Sequence, residues 1–420
     1  MKAIFLDLSE QFLANGHRFK YYGIVRTVME VGYEMARLGG VRFVIYSPAH
    51  GHFFEVTPRL DADSPTGVMD PGLPPEATPI RLRSSFPTRN RLRDTLLRLV
   101  RPLVRRINLR RWRHVPPGVA RPVDMTGQTL ISLGRPKIIA DYLCDLEDRG
   151  AAPEVVPLVH DMIPLHDFAH RDQKVFTSNY LHDTRKVLSH ARLVLTNSRF
   201  TRDEISHFAG RGYFDALPTL APVPLSHELR PTQEPLTRTP PEDPYLICVG
   251  TLTGRKNLQC VMEALRLLHE QGRPVPRLVL AGARRKRADE FVHQSRFSGI
   301  ADRVVFFRDP NQSELRALYE RALALVIPSY MEGWGLPLGE ALWVGTPGLS
   351  ANVPALREVG GDLARYFDPD SPSDLAAEID RLQSDVAERT AWRDRIAAGH
   401  NRLRSWKDVA RDILGAAQAT

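Results

Sequence analysis

Residues Pro328 to Glu340 read PSYMEGWGLPLGE and set two carboxylates, Glu332 and Glu340, with seven residues between them that include three glycines, a Trp and a Pro. An apolar run, Ala322 to Ile327, precedes them and a helical run opens near Leu336. A strand end, a glycine-rich turn and a helix start suit a phosphorylated ligand. Small residues let the backbone come close, and N–H groups of the first helical turn attract an anion. The acids are then left to bind ligand hydroxyls. A second turn, Gly250-Thr251-Leu252-Thr253-Gly254-Arg255-Lys256-Asn257, follows another apolar run. Arg255 supplies planar donors and Lys256 a point charge, a pair suited to a diphosphate; the alternative is a solvated turn with incidental charges. A third candidate is His160, at the end of Val155 to Val159, which is either cleft-facing or an ordinary structural histidine. Gly23, ahead of a helix, either lets a ligand approach or only reverses the chain.

These groups need elements to hold them. Ala3 to Leu8 reads as a strand, Ile24 to Leu38 as a helix with Val28, Val31, Met35 and Leu38 on one face, and Val41 to Tyr46 as a second strand. This is how a doubly wound α/β domain begins. Strands at Val155 to Val159 and Leu193 to Leu195 extend it, and Thr196-Asn197-Ser198 caps a helix from Phe200 to Phe208. The first domain is expected over residues 1–231. Pro231 to Pro244 holds five prolines and reads as an extended linker. A second doubly wound unit is expected over 245–400. Its strands fall at Tyr245 to Val249, Arg277 to Ala281, Arg303 to Phe307, Ala322 to Ile327 and Pro347 to Ser350. A last helix, over 401–420, carries Trp406.

Composition limits the partners. The chain has 420 residues, 43% hydrophobic and 25% charged, as in a soluble globular protein of two domains. Its three cysteines form no C-x-x-C pair, which fits a reducing compartment. The N-terminus reads as a strand, not a signal peptide, and no run reaches the ~20 apolar residues of a membrane span. The net charge of +8 is uneven: Arg81 to Arg121 holds thirteen Arg and one acid, Asp94, so 13 − 1 = +12, leaving 8 − 12 = −4 elsewhere. Within it Leu92, Leu96, Leu99, Val100 and Leu103 share a helical face, while Arg91, Arg98, Arg101 and Arg105 do not. Such a helix, possible kink at Pro102 included, suits an anionic membrane surface through residues 91–113. Packing of the apolar face on its own domain is the alternative, and a nucleic-acid arm is disfavoured because only Trp112 could stack. Asp61-Ala62-Asp63 has the D-x-D form of a metal site but no strand before it, and no metal is expected.

Pro328 to Glu340, with Asn352 to Gly361 and Phe367-Asp368-Pro369, closely resembles the donor-binding half of family 4 glycosyltransferases, which are retaining enzymes of the GT-B fold. Gly250-Thr251 with Arg255-Lys256-Asn257 supports the resemblance. So do His160-Asp161, Thr196 to Phe200, Gly23 to Arg26 and the Trp406 segment, while 52–150 has no counterpart. The resemblance implies two Rossmann-like domains facing a cleft, with the C-terminal helix crossing back to the first. It implies that Glu332 holds donor-sugar hydroxyls, and that backbone around Gly333, Trp334, Gly335 and Leu336 meets sugar and phosphate. Glu340 would bind ribose, Lys256 with Arg255 the diphosphate, and His160 would lie by the reacting sugar. Thr251 stands where many members carry a further Arg. The expected activity is hexosyl transfer, GDP-mannose slightly favoured, to a glycan or lipid-linked acceptor in bacterial surface polysaccharide synthesis. It would occur at the cytoplasmic membrane face, with no cofactor, metal or nucleic acid. The rival readings are a non-transferring nucleotide-sugar enzyme such as a 2-epimerase, and a basic nucleic-acid-binding protein.

Overall fold

Short β-branched runs closed by Gly, Pro or Asn become the strands of two largely parallel sheets. The computed structural model describes residues 3–14, 23–88, 90–147, 149–166, 174–250, 254–282 and 286–419. It divides into one unit of residues 1–224 with 406–420 and a second of 225–405.

The strands of the first unit are β1 (Ile4–Asp7), β2 (Arg42–Ser47), β3 (His52–Val56), β4 (Arg59–Leu60), β5 (Met69–Asp70), β6 (Ala120–Val123), β7 (Thr129–Ser132), β8 (Glu154–Val159), β9 (Leu193–Thr196) and β10 (Thr219–Pro222). Eight of them form one sheet in the order β10-β9-β8-β7-β1-β2-β3-β6. Phe5 pairs with Arg42 and Leu6 with Ile131, both in parallel register, while β3 and β6 run antiparallel at the edge. The strand order reverses on either side of β1, which opens a crevice at the strands' carboxyl ends. Part of the expected irregular stretch from Glu55 to Ile80 is ordered: β4 pairs with β5, and Arg59 reaches the buried Asp70 at 2.8 Å.

The helix Trp406–Gln418 packs on the helix Gly23–Leu38 of this unit. Trp406 is fully buried, with the Arg26 guanidinium 6.0 Å from its ring centroid. The Arg-rich segment is a helix from Arg91 to Trp112, uninterrupted by Pro102 and started by Asn90, whose side chain accepts from the Arg93 N–H. Its packing differs from the alternative in which the apolar face packs on its own domain. Asn108 holds it to the body, trading hydrogen bonds with the Ile80 N–H and carbonyl at 2.8 and 2.9 Å. Trp112 packs against Phe54 and His50. Leu92, Leu96, Leu99 and Leu103 are left 85%, 60%, 73% and 60% exposed, so that stripe is not packed on its own domain.

The second unit's strands are β11 (Tyr245–Val249), β12 (Arg277–Gly282), β13 (Val304–Arg308), β14 (Ala324–Ile327), β15 (Gly348–Ala351) and β16 (Arg365–Phe367). All pair in parallel, in the order β13-β12-β11-β14-β15-β16. That is the doubly wound order, with its switch point between β11 and β14. The unit begins at Leu225, well before its first strand. The proline-rich segment has no regular element but is tied along the helix Gln312–Arg321. Arg238 grips the buried Glu314 at 2.6 Å, Thr237 donates to the same carboxylate at 2.6 Å, and Glu234 accepts from the Gln312 N–H at 2.8 Å. The Arg238 bond, outweighing burial, holds Glu314 down to about 2.

Candidate functional site

Both glycine-bearing turns leave the carboxyl ends of β11 and β14, the two strands that flank the switch point. The parallel register Leu246↔Ala324 and Ile247↔Leu325 brings them together. The turns are then bonded to each other. The Tyr330 N–H donates to the Arg255 carbonyl at 2.9 Å, and the Arg255 guanidinium donates to the Met331 carbonyl at 2.6 Å. Asn257 adopts a left-handed conformation (φ 48°) and starts the helix Leu258–Glu270 while its amide donates to the Pro369 carbonyl at 2.8 Å.

The charged centre is a triad. Glu332 accepts from Lys256 Nζ on Oε1 at 2.6 Å and from Arg255 Nη1 on Oε2 at 2.9 Å. It is 7% exposed. Burial alone would raise its pKa, but the charges of Lys256 and Arg255 overcome this and hold it down to about 2. Two cations against one anion leave a net positive centre on short, cross-bonded loops. The space enclosed with Val249, Ser329, Gly335 and Pro337 is only about 10 Å³, so a ligand that entered would have to compete for the cations. Diphosphate oxygens are suited to that exchange, since they offer more acceptors than one carboxylate.

The remaining expected residues divide by what they touch. Gly335 (φ 120°) precedes the helix Leu336–Trp343, and a Cβ there would collide with Leu356, so the turn requires glycine. No side chain caps that helix. Pro337 has no N–H, and Leu338 and Gly339 donate back to the Gly335 carbonyl at 2.9 and 3.4 Å. The N–H groups of Leu338 and Gly339 are thereby turned back into the helix. The Trp334 side chain is structural: it is buried, and its indole N–H donates to the Ser226 carbonyl at 3.3 Å. Glu340 is buried on the same helix and accepts from the Tyr319 hydroxyl at 2.8 Å. Thr251 lies outside the described residues.

In the first unit His160 ends β8. Its Nε2 lies 2.8 Å from the Leu133 carbonyl, which can only accept, so the proton sits on Nε2 and Nδ1 keeps its lone pair. Burial pushes the ring below its ordinary pKa, which keeps it neutral. The His160 carbonyl accepts from Asn197 Nδ2 at 2.7 Å. The strand ends of β7, β8 and β9 are thus linked through one residue. Gly23 (φ 59°) starts its helix exposed, with open space where a Cβ would be. Sequence reasoning missed the acids at the end of β1. Asp7 is buried and accepts from the Ser132 and Tyr142 hydroxyls at 2.7 and 2.9 Å. Glu10 is buried and grips Arg135 at 2.7 Å. Their only signal was an acid breaking an apolar run. Among the described residues no group of three or more His, Cys, Asp or Glu could hold a metal ion. Asp61 and Asp63 are exposed, with Asp61 accepting from the Tyr33 hydroxyl at 2.7 Å.

Residues 230–398 match the family model described as Glycosyl transferases group 1. The O-antigen chain mannosyltransferase B of Escherichia coli is 27% identical over 272 residues, covering 59% of this chain and 65% of its own length. The serotype-specific mannosyltransferase WbdA of Escherichia coli is 30% identical over 138 residues, which is 33% of this chain and 17% of that protein. The chain therefore spans less than two thirds of these relatives. Sucrose-phosphate synthase from Thermosynechococcus elongatus superimposes with a TM-score of 0.63 at 17% identity over 100% of this chain and 99% of its own. The fold is GT-B.

Proposed function

We propose that this chain, whose residues 230–398 match the model of the glycosyl transferases group 1 family, is a retaining glycosyltransferase of family 4 that moves a hexosyl group from a nucleoside diphosphate to a glycan or lipid-linked acceptor. The observation that carries this reading is the convergence of Lys256 and Arg255 from one strand end on Glu332 from the neighbouring one. Mannose from GDP-mannose is the favoured donor, in keeping with the two mannosyltransferase relatives, and O-antigen-type polysaccharide is the favoured product.

Transfer breaks the bond from the anomeric carbon to the phosphate oxygen, and the electron pair leaves with the diphosphate. Lys256, Arg255 and the backbone before Pro337 meet that developing charge, the kind of stabilisation that lowers such barriers most. Glu332, released from its cations, holds sugar hydroxyls, and Glu340 holds the ribose. The acceptor oxygen attacks the same face of the sugar and passes its proton to the departing phosphate, which retains configuration. The first unit is assigned the acceptor, and His160 the reacting sugar, as the family resemblance implies. No metal has a part in this scheme.

The Arg-rich helix supports a location on the cytoplasmic membrane face. No helix among the described residues is long and apolar enough to cross a membrane. The exposed leucines and flanking arginines support a surface mode instead. The test is transfer from a panel of sugar-labelled nucleotide sugars into the lipid-extractable fraction, with and without a chelator. Wild type should transfer from one donor, unaffected by the chelator, and Glu332→Ala should lose ~100-fold or more. Donor turnover without an acceptor, giving an isomerised nucleotide sugar, would identify the epimerase rival instead.

A further inference from the structure

The second unit begins at Leu225 and ends at Ser405, and its two ends are bonded together within it. The His227 N–H and the Ser226 hydroxyl donate to the Arg404 carbonyl at 2.9 and 3.0 Å, and the Arg404 N–H donates to His227 Nδ1 at 3.0 Å. Ser226 and His227 are both buried. The imidazole makes a second bond: its Nε2 lies 3.1 Å from the Val359 carbonyl, which can only accept. The proton is therefore on Nε2 and the lone pair on Nδ1, so the neutral ring in one tautomer makes both bonds. Burial, reinforced by the charge of Arg404, pushes the ring below its ordinary pKa.

What rests on these two residues is the turn that carries Glu332. The Trp334 indole N–H donates to the Ser226 carbonyl, and the His227 and Trp334 rings meet edge to face with centroids 5.9 Å apart. Gly339, in the helix Leu336–Trp343, packs so closely that a Cβ would come within 3.0 Å of His227 Cα and 3.4 Å of the Ser226 carbonyl oxygen. Val359, which accepts from the imidazole, belongs to the helix Pro354–Gly360, and the Leu356 and Val359 side chains of that helix border the place where Gly335 would carry a Cβ. Residues 334, 335 and 339 are thus supported by Ser226 and His227, directly or through Val359. Only Gly333 separates Glu332 from Trp334. A binding site needs its groups held to roughly 0.5 Å by supporting contacts of this kind.

We propose that His227 is a positioning residue of the donor site: its Nε2–H holds the turn that carries Glu332, while its Nδ1 pins the last residues of the unit to the first. It acts through Val359 and Trp334 and touches no ligand itself. The proposal rests on the reading of this turn as the donor site, and adds to it a residue that sequence spacing does not single out.

Amide side chains separate the two jobs of the ring. The side-chain oxygen of Asn falls near the position of Nδ1, and the side-chain nitrogen of Gln near that of Nε2. His227→Asn therefore keeps an acceptor for Arg404 and loses the bond to Val359, and His227→Gln does the reverse. The experiment titrates the full chain with GDP-mannose, UDP-glucose and dTDP-glucose by calorimetry, and follows thermal unfolding and hydrogen exchange of each variant. Wild type should bind one donor. His227→Gln should bind it within about two-fold of wild type and His227→Asn about ten-fold more weakly, the worth of one buried hydrogen bond. Each variant loses one bond, so both should unfold at similar temperatures below wild type. Without donor, the amides of residues 333–339 should exchange faster in His227→Asn than in His227→Gln. Trp334→Phe removes the N–H that meets Ser226 and leaves the imidazole in place; it should weaken donor binding about three-fold, and it decides the matter if His227→Asn does not fold. Equal donor affinity in the two His227 variants, or exchange over 333–339 that does not distinguish them, would reduce His227 to a contact of the fold and leave the donor site standing. No binding of any nucleotide sugar by wild type would overturn the donor reading itself, and the role of His227 in it.

Discussion

Two clusters of cations in this molecule solve opposite problems. In the second unit Lys256 and Arg255 come with their counter-ion, Glu332, built into the next strand end. In the first unit Arg98, Arg101, Arg106 and Arg149 surround a large cavity with one described carboxylate, itself engaged by Tyr46. The first arrangement is small, buried and cross-bonded, so its geometry is fixed before a ligand comes. The second is open and self-repelling, and an anion relieves it. A built-in carboxylate makes ligand phosphate a competitor, which favours a ligand that brings several oxygens and hydroxyls for the displaced acid. A single carboxylate, Asp145, against several arginines leaves the cavity net positive.

Substitutions can break this contrast at either end. The largest stability effect is expected from Glu332→Gln, which leaves two cations around an uncharged group; unfolding free energy should fall by about 3 kcal/mol near neutral pH. The sign with pH follows from the depressed pKa. Glu332 is lowered from 4.5 to about 2, so its contribution is full above about pH 4.5 and is lost as pH falls toward 2. Urea titrations of wild type and variant should therefore converge on acidification, and a gap that persisted near pH 2 would remove the ion triad as its source. Glu332→Ala should lower stability as well as transfer, since the same side chain ties two loops together.

Smaller effects are expected in the first unit. Leu96→Ser with Leu99→Ser should weaken binding to anionic vesicles by about ten-fold, because each lost leucine removes apolar area that the interface would cover. Unfolding should be unchanged, as both side chains are exposed. A loss of stability would return that stripe to internal packing. Smallest of all, Arg98→Gln with Arg101→Gln should raise unfolding free energy by no more than about 0.5 kcal/mol, through relief of repulsion. A clear destabilisation would mean that these arginines are paired for the fold, as Arg81 is with Asp141 and Arg83 with Asp183, and would erase the difference between the clusters.

How far each cluster could be read from sequence follows from how it is assembled. The second unit's expected strands fall close to their expected positions because each is a short apolar run closed by Gly or Pro. The members of the triad were legible as candidates because they sit beside strand ends in two turns, and parallel strands of a doubly wound sheet bring such turns together; their pairing with one another was not. The Trp334 side chain was not legible as structural: nothing in the spacing shows that its N–H meets Ser226. The arginine helix was legible from its periodicity, but which apolar residues face the body was not. Asn108 and Trp112 fix that choice through Ile80, His50 and Phe54, from a stretch whose composition reads as loop. The cavity was out of reach, since its wall draws on segments near residues 48, 80, 98 and 145 with no common pattern.

The central claim is that the diphosphate of a nucleotide sugar is held where Lys256 and Arg255 meet Glu332. Calorimetric titration of the full chain with GDP-mannose, UDP-glucose and dTDP-glucose, for wild type and Lys256→Ala, tests it most directly. The account predicts that wild type binds one of these donors and that Lys256→Ala binds it about 100-fold more weakly, the loss of a charge-assisted contact in a buried site. Binding that Lys256→Ala leaves unchanged, or no binding of any nucleotide sugar by the wild type, would contradict it.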